Sequence, residues 1–216
     1  MASACKSSDS SSARVILWDT KTWAEVGGIS AHTLTVTQLA FSPCNTMLLC
    51  VSRDRTWSLH TLERVVEGEA LSVTCSMVAR TDKKTSVHTR LIWSCGWTSD
   101  SKYFVTASRD KKVVMWGKQE DKWGKVGEVL TLPDSVTAVT VSARICKEGY
   151  VVAAGLESGV VHVLYWDTRV WREVSVITGH HSTVTRLVFQ PGVVKYVLAS
   201  CSVDNSVRIT NIEVDI

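Results

Sequence analysis

Three histidines stand ahead of three aspartates at almost one interval. His32 lies 22 residues before Asp54, His88 lies 22 before Asp110, and His180 lies 24 before Asp204. Between each pair the chain keeps one pattern. A strand-like run follows the histidine (LTVTQLAFSP, RLIWSCGWTS, STVTRLVFQP), then a turn and a second run (MLLCVS, KYFVTAS, KYVLASCS). After the aspartate comes a third run (RTWSLH, KKVVMW, NSVRIT). A repeat of this length constrains the fold strongly, because each copy buries its faces only against its neighbours.

Two further copies are blurred. SVTAVTVS, YVVAAG and GVVHVLYWD make one, with Glu157 and Ser158 where the aspartate is expected. Residues 1–19 match the last two runs of another, with a serine-rich stretch in the turn. A weaker fourth run precedes each copy (TWAEVGGIS, EALSVTCSMV, GKVGEVLTL, WREVSVITG). The runs are short, rich in Val, Ile, Thr and aromatics, and bounded by Gly, Asp, Asn and Pro, so they read as strands. No stretch keeps a helical apolar period over three turns. The expected fold class is therefore all-β, a partial propeller of about four to five blades, each an antiparallel four-stranded sheet. The blades are expected at 1–30 (partial), 31–78, 79–130, 131–177 and 178–216 (partial, without its outermost strand).

The motifs TGHHSTV, LASCSVDNSVRI, SRDKKVVMWG, VILWD and LYWD together resemble the WD-repeat β-propeller family. That resemblance implies a structural tetrad of His88, Ser108, Asp110 and Trp116. In it, a turn aspartate holds the histidine, which links through a serine hydroxyl to the indole N–H, so that buried polar groups are satisfied. Partial tetrads are implied at His32, Ser52 and Asp54, where His60 replaces the tryptophan. They are also implied at His180, Ser202 and Asp204, where Thr210 does. The segments SRDRTWSL, HTRLIWSC, SKYFVTASRDKKVVMWG and the opening ASACK…ILW are similar to the WD-repeat second-subunit family of Elongator, the tRNA wobble-uridine modification complex. This implies a scaffold whose partners are the large and catalytic Elongator subunits, with a weak tRNA contact as a further partner. It also implies that the chain is a C-terminal piece of a second propeller. A closed five-bladed ring is the geometric alternative.

Catalytic constellations do not emerge. Ser, His and Asp recur once per copy, whereas a nucleophilic triad occurs once with an activated serine. GxSxG elbows and phosphate-cradling glycine loops are missing. The seven cysteines form no CxxC pair, so neither a zinc site nor a disulfide framework is expected. No enzyme activity, metal or cofactor is expected. The cysteine usage suits a reducing compartment, the cytoplasm first and the nucleus second. No apolar run approaches ~18 residues, so no membrane contact is expected.

Net charge is +3, but residues 80–125 carry eleven Lys and Arg against five Asp and Glu. A propeller places the loop before the first strand and the turn between the second and third on one face. Arg53, Arg55, Arg90, Arg109, Lys111 and Lys112 are thus expected on a shared rim that faces an acidic partner or RNA. The plainer reading, charges that solvate their own turns, stays open at this point.

Overall fold

The computed structural model describes residues 1–4, 13–67, 70–84, 86–146, 149–192 and 195–214. The serine-rich turn expected at residues 5–12 lies outside them. All regular elements among the described residues are strands, and they form five antiparallel sheets. The chain divides into two compact units, Met1–Ile92 and Trp93–Ile216.

The first unit begins with a three-stranded sheet, β1 (Ala2–Ala4), β2 (Val15–Trp18) and β3 (Glu25–Ile29). A four-stranded sheet follows, β4 (Val36–Phe41), β5 (Met47–Ser52), β6 (Trp57–Glu67) and β7 (Ala70–Arg80). Val15, Leu17 and Ile29 of the first meet Val36, Leu48 and Cys50 of the second in one apolar layer. The sheets approach closely at Gly27, where a Cβ would stand 2.5 Å from the Val73 carbonyl oxygen. Only glycine leaves room for backbone at that distance. The β6–β7 hairpin is long. β6 pairs with β5 only over Trp57–Thr61 but with β7 out to Glu67, so its far end runs past the sheet.

The second unit contains β8 (Ile92–Trp97), β9 (Tyr103–Ser108), β10 (Lys112–Gln119) and β11 (Lys122–Thr131) as one sheet. The next is β12 (Val136–Cys146), β13 (Gly149–Leu156), β14 (Val161–Trp166) and β15 (Trp171–Ile177), and the last is β16 (Val184–Phe189), β17 (Tyr196–Ser202) and β18 (Val207–Ile212). Apolar layers join the third sheet to the fourth and the fourth to the fifth. β13 is consequently buried along its whole length, and its sequence is a continuous run of small and apolar residues. β11 and β15, the outermost strands of their sheets, instead hold only exposed and half-buried positions. Two of the nine tryptophans, Trp166 and Trp171, enter a ring cluster. Trp166 lies 5.1 Å from Tyr103, 5.9 Å from Tyr150 and 6.0 Å from Trp171. The Tyr150 hydroxyl donates to Asp100 at 2.8 Å, while the Trp166 indole N–H is buried with no hydrogen-bond partner among the described residues.

Candidate functional site

Each repeated aspartate sits in a three-residue hairpin loop. Between β5 and β6, Arg55 N donates to Ser52 O at 3.3 Å and Ser52 N donates to Thr56 O at 3.1 Å. This is a type I turn closed by a residue in the left-handed region, the usual three-residue hairpin. That residue is Arg55 at φ 74°, Lys111 at 71° between β9 and β10, and Asn205 at 63° between β17 and β18. In the fourth sheet it is Gly159, at φ 92°. There Gly159 N donates to Leu156 O and Leu156 N to Val160 O. That register puts Ser158 at the aspartate position and Glu157 at the position of Arg53.

Asp54 is buried, and its two oxygens are fully used. Oδ2 accepts from Thr33 N at 2.9 Å and His32 Nδ1 at 3.2 Å, and Oδ1 from Thr56 N at 3.0 Å and Thr56 Oγ1 at 2.6 Å. Burial pushes its pKa up. Hydrogen bonding and charge from His32, then the Thr56 hydroxyl and the Thr33 amide, outweigh that and hold the carboxyl well below its ordinary range. With Nδ1 facing Asp54, His32 Nε2 lies 2.9 Å from Ser58 Oγ. His60 Nε2 lies 3.0 Å from the same oxygen. Burial, then the charge of His32, drive the His60 pKa down from 6.5 to about 4, so His60 stays neutral.

The fifth sheet repeats the arrangement. His180 Nδ1 lies 3.0 Å from Asp204 Oδ2, and its Nε2 lies 2.8 Å from Ser200 Oγ. Asp204 is held low by bonds from the Ser206 hydroxyl and then the His181 amide, which outweigh the opposite effect of desolvation. In the third sheet Trp116 Nε1 donates to Thr106 Oγ1 at 2.7 Å, and Lys112 N donates to Asp110 Oδ1 at 3.1 Å. His88 and Ser108 are both buried there, and Ser108 Oγ accepts from Asp110 N at 3.2 Å.

These bonds correct the serine assignments. Ser52 and Ser202 do not receive the histidine link. Ser52 Oγ bridges Leu34 O and Thr35 O at 3.0 Å, and Ser202 Oγ donates to Ser182 O at 2.8 Å. Both accept the aspartate amide two residues on, so they tie the turn to the loop ahead of the first strand. The histidine link goes to Ser200 and Ser58, and the tryptophan link to Thr106. Residues two apart on a strand share a face but differ by about 6.6 Å along it. Ser202 is level with the turn mouth, and Ser200 is level with the far nitrogen of the ring. Cys50 occupies the equivalent of Ser200 in the second sheet, which is why Ser58 is recruited across from it. Burial raises the Cys50 thiol to about 12, and it stays a neutral, inert group.

Asp54, His32 and Ser58 have the connectivity of a nucleophilic triad, as do Asp204, His180 and Ser200. Ser58 is 0% exposed and Ser200 4%, so no substrate carbonyl reaches either hydroxyl. The groups satisfy one another in the core. Among the described residues no three His, Cys, Asp or Glu side chains gather as a metal ion requires.

The basic residues stand differently. Arg53, Arg55 and Arg90 are exposed in the first unit, and Arg109 and Lys111 in the second, while Lys112 is half-buried at the start of β10. Neither Arg53 nor Arg55 forms an ion pair among the described residues. Lys111 Nζ donates to Pro133 O at 2.8 Å. Sequence reasoning missed Lys83. The loop after β7 folds onto the Asp54 turn, with Ser86 Oγ on Arg55 O and Lys83 Nζ on Thr33 Oγ1 at 2.7 Å. Lys83 therefore joins Arg55 at that turn. Only the run of cations in the loop hinted at it.

A family profile described as WD domain, G-beta repeat matches residues 23–60, 81–117 and 171–211. The chain is 40% identical over 213 residues to Elongator complex protein 2 of Danio rerio, covering 88% of this chain and 26% of that protein. It is 41% identical over 226 residues to Elongator complex protein 2 of Drosophila melanogaster, covering 99% and 28%. To Elongator complex protein 2 of Saccharomyces cerevisiae it is 32% identical over 168 residues, covering 76% and 20%. The chain spans about a quarter of the length of the first two of these relatives.

Proposed function

Because the chain belongs to the WD domain, G-beta repeat family, we propose that it works as a non-catalytic scaffold within Elongator. In this reading it holds the catalytic and large subunits together and so supports tRNA wobble-uridine modification in the cytoplasm, and in the nucleus as well. The observation that carries the reading is identity of 40% and 41% with two proteins named Elongator complex protein 2, over 88% and 99% of this chain. Burial of the His, Asp and Ser groups supports a scaffold over an enzyme. Arg53, Arg55 and Arg90 of the first unit and Arg109, Lys111 and Lys112 of the second supply the contact residues, since turns and their flanks are freer to bind than strand interiors. Alanine at Arg53, Arg55, Arg90 and Arg109 together is expected to reduce co-purification of the other Elongator subunits and to leave the circular dichroism melt unchanged. Undiminished co-purification refutes the scaffold surface.

The unpaired forks of Arg53 and Arg55 favour a second reading, in which the same residues meet tRNA phosphates. Affinity for tRNA then falls steeply as salt rises, by the release of counterions. Filter binding that is flat in salt removes this reading and leaves the first intact.

A further inference from the structure

β6 outruns its inner neighbour. The last bond between them is Leu62 N to Thr46 O at 2.9 Å, and β7 alone continues beside it to Glu67. In an antiparallel strand alternate residues turn their N–H and C=O toward the same neighbour. The register of Leu62 thus directs the backbone groups of Arg64 and Val66 to the side β5 has left. Among the described residues no strand pairs with that edge.

The side chains of Leu62, Arg64 and Val66 line a groove of about 590 Å³ that also takes in Val26, Phe41 and Lys21. Its rim is apolar and uncovered, with Phe41 42% and Val66 68% exposed. Its charge is one-sided. The lining carboxylate, Asp19, already accepts from Lys21 N and Thr22 Oγ1, both at 3.0 Å. Arg64 and Lys21 form no ion pair among the described residues. One place thus combines a free backbone edge, apolar walls and two cations.

We propose that this groove is a strand-addition site for an extended segment of a partner protein. The segment pairs with the open edge at Arg64 and Val66. Its groove-facing positions, every second residue, carry apolar and acidic side chains, the acids meeting Arg64 and Lys21. Main-chain bonds supply affinity and alternate side chains supply selectivity in this mode. A second copy of the chain fits poorly, because two-fold pairing would set Arg64 of one copy against the cations of the other. RNA leaves the apolar rim and the backbone edge unused.

The probe is a fluorescein-labelled peptide of sequence SLSESLSES, titrated against the chain by anisotropy. Saturable binding is expected, with none for SLSKSLSKS. Arg64→Glu is expected to weaken binding about tenfold or more, since it turns attraction into repulsion at a contact charge. Val66→Pro is expected to abolish it. The Val66 N–H points away from β7, so proline blocks the incoming strand without breaking the hairpin. Lys122→Glu, at the exposed start of β11 and outside the groove, leaves binding unchanged. No binding by the parent chain, equal binding of the lysine peptide, or an Arg64→Glu variant that binds like the parent overturns the proposal. An equal loss in Lys122→Glu overturns it too, because the attraction is then only diffuse charge. Where Val66→Pro alters the circular dichroism spectrum, Arg64→Glu alone decides.

Discussion

Asp54→Ala tests whether the buried turn networks hold the sheets. The carboxylate accepts from two backbone amides, Thr33 and Thr56, and from His32 and the Thr56 hydroxyl. Alanine leaves both amides without an acceptor in a site where Asp54 is 2% exposed. Each stranded buried donor costs about 1–3 kcal/mol. His32 is partly rescued, because its Nδ1 also lies 3.1 Å from Thr56 Oγ1. The expected loss is therefore about 3–5 kcal/mol, in the range for breaking a buried charged network. Asp54→Asn keeps one acceptor but presents an NH₂ to a donor, and about 2–3 kcal/mol is expected. Asp204→Ala loses less than Asp54→Ala, since water reaches the Asp204 side chain, which is 11% exposed against 0% for Asp54. The assay is urea unfolding followed by tryptophan fluorescence, with amide exchange at Ser52–Trp57 to locate the effect. A loss under about 1 kcal/mol, or a greater loss in Asp204→Ala, refutes the reasoning.

Four further outcomes are expected. His60 is held at about 4 in the folded chain against 6.5 when free, so the unfolded chain takes up the proton first. Stability should fall as pH drops from 6.5 toward 4, above the window where Asp54 protonates, and His60→Leu should flatten that slope in urea midpoints at pH 7 and 5. Arg55→Asn should raise stability by about 0.5 kcal/mol, because asparagine tolerates the left-handed region better. Calorimetry reads this as a small rise in Tm. Gly159→Ala should cost about 2 kcal/mol or more by urea unfolding, through left-handed strain and a Cβ 2.5 Å from His180 O. Thr106→Val keeps the shape but removes the hydroxyl that accepts from the Trp116 indole N–H, and about 0.5–1.5 kcal/mol should be lost on the same measurement.

The strands and turns were legible because their causes are local. MLLCVS and KYFVTAS can be read as strands from β-branched and aromatic content, and SRD as a turn from its position between two apolar runs. The His–Asp pairing of the second and fifth sheets was legible from the repeated interval together with the resemblance to the WD-repeat family. Which hydroxyl meets the histidine was not. Ser200 and Ser202 share a face and a residue type, and the choice depends on how deep the ring reaches. Ser58 was invisible for another reason: it is called on only because Cys50 has no hydroxyl. Glu157 and Ser158 could not be ordered in the sequence, since the left-handed residue that sets the register, Gly159, follows both. The groove beside β6 was hidden because its lining residues come from separate runs, Lys21 to Val66, joined only by sheet stacking.

The fourth sheet carries no buried aspartate at its turn, and β13 is covered along its whole length. Its cohesion thus rests mainly on apolar contact and backbone bonds, and the side-chain links that acid reaches are the Tyr150–Asp100 bond and the His162–Glu173 pair between β14 and β15. The turns at Asp54 and Asp204 depend on carboxylates staying ionised. Acid should therefore open the chain unevenly, with those hairpins loosening first and the amides of β13 the last to exchange. The repeat that departs furthest from its siblings' signature would then be the acid-resistant nucleus of the chain.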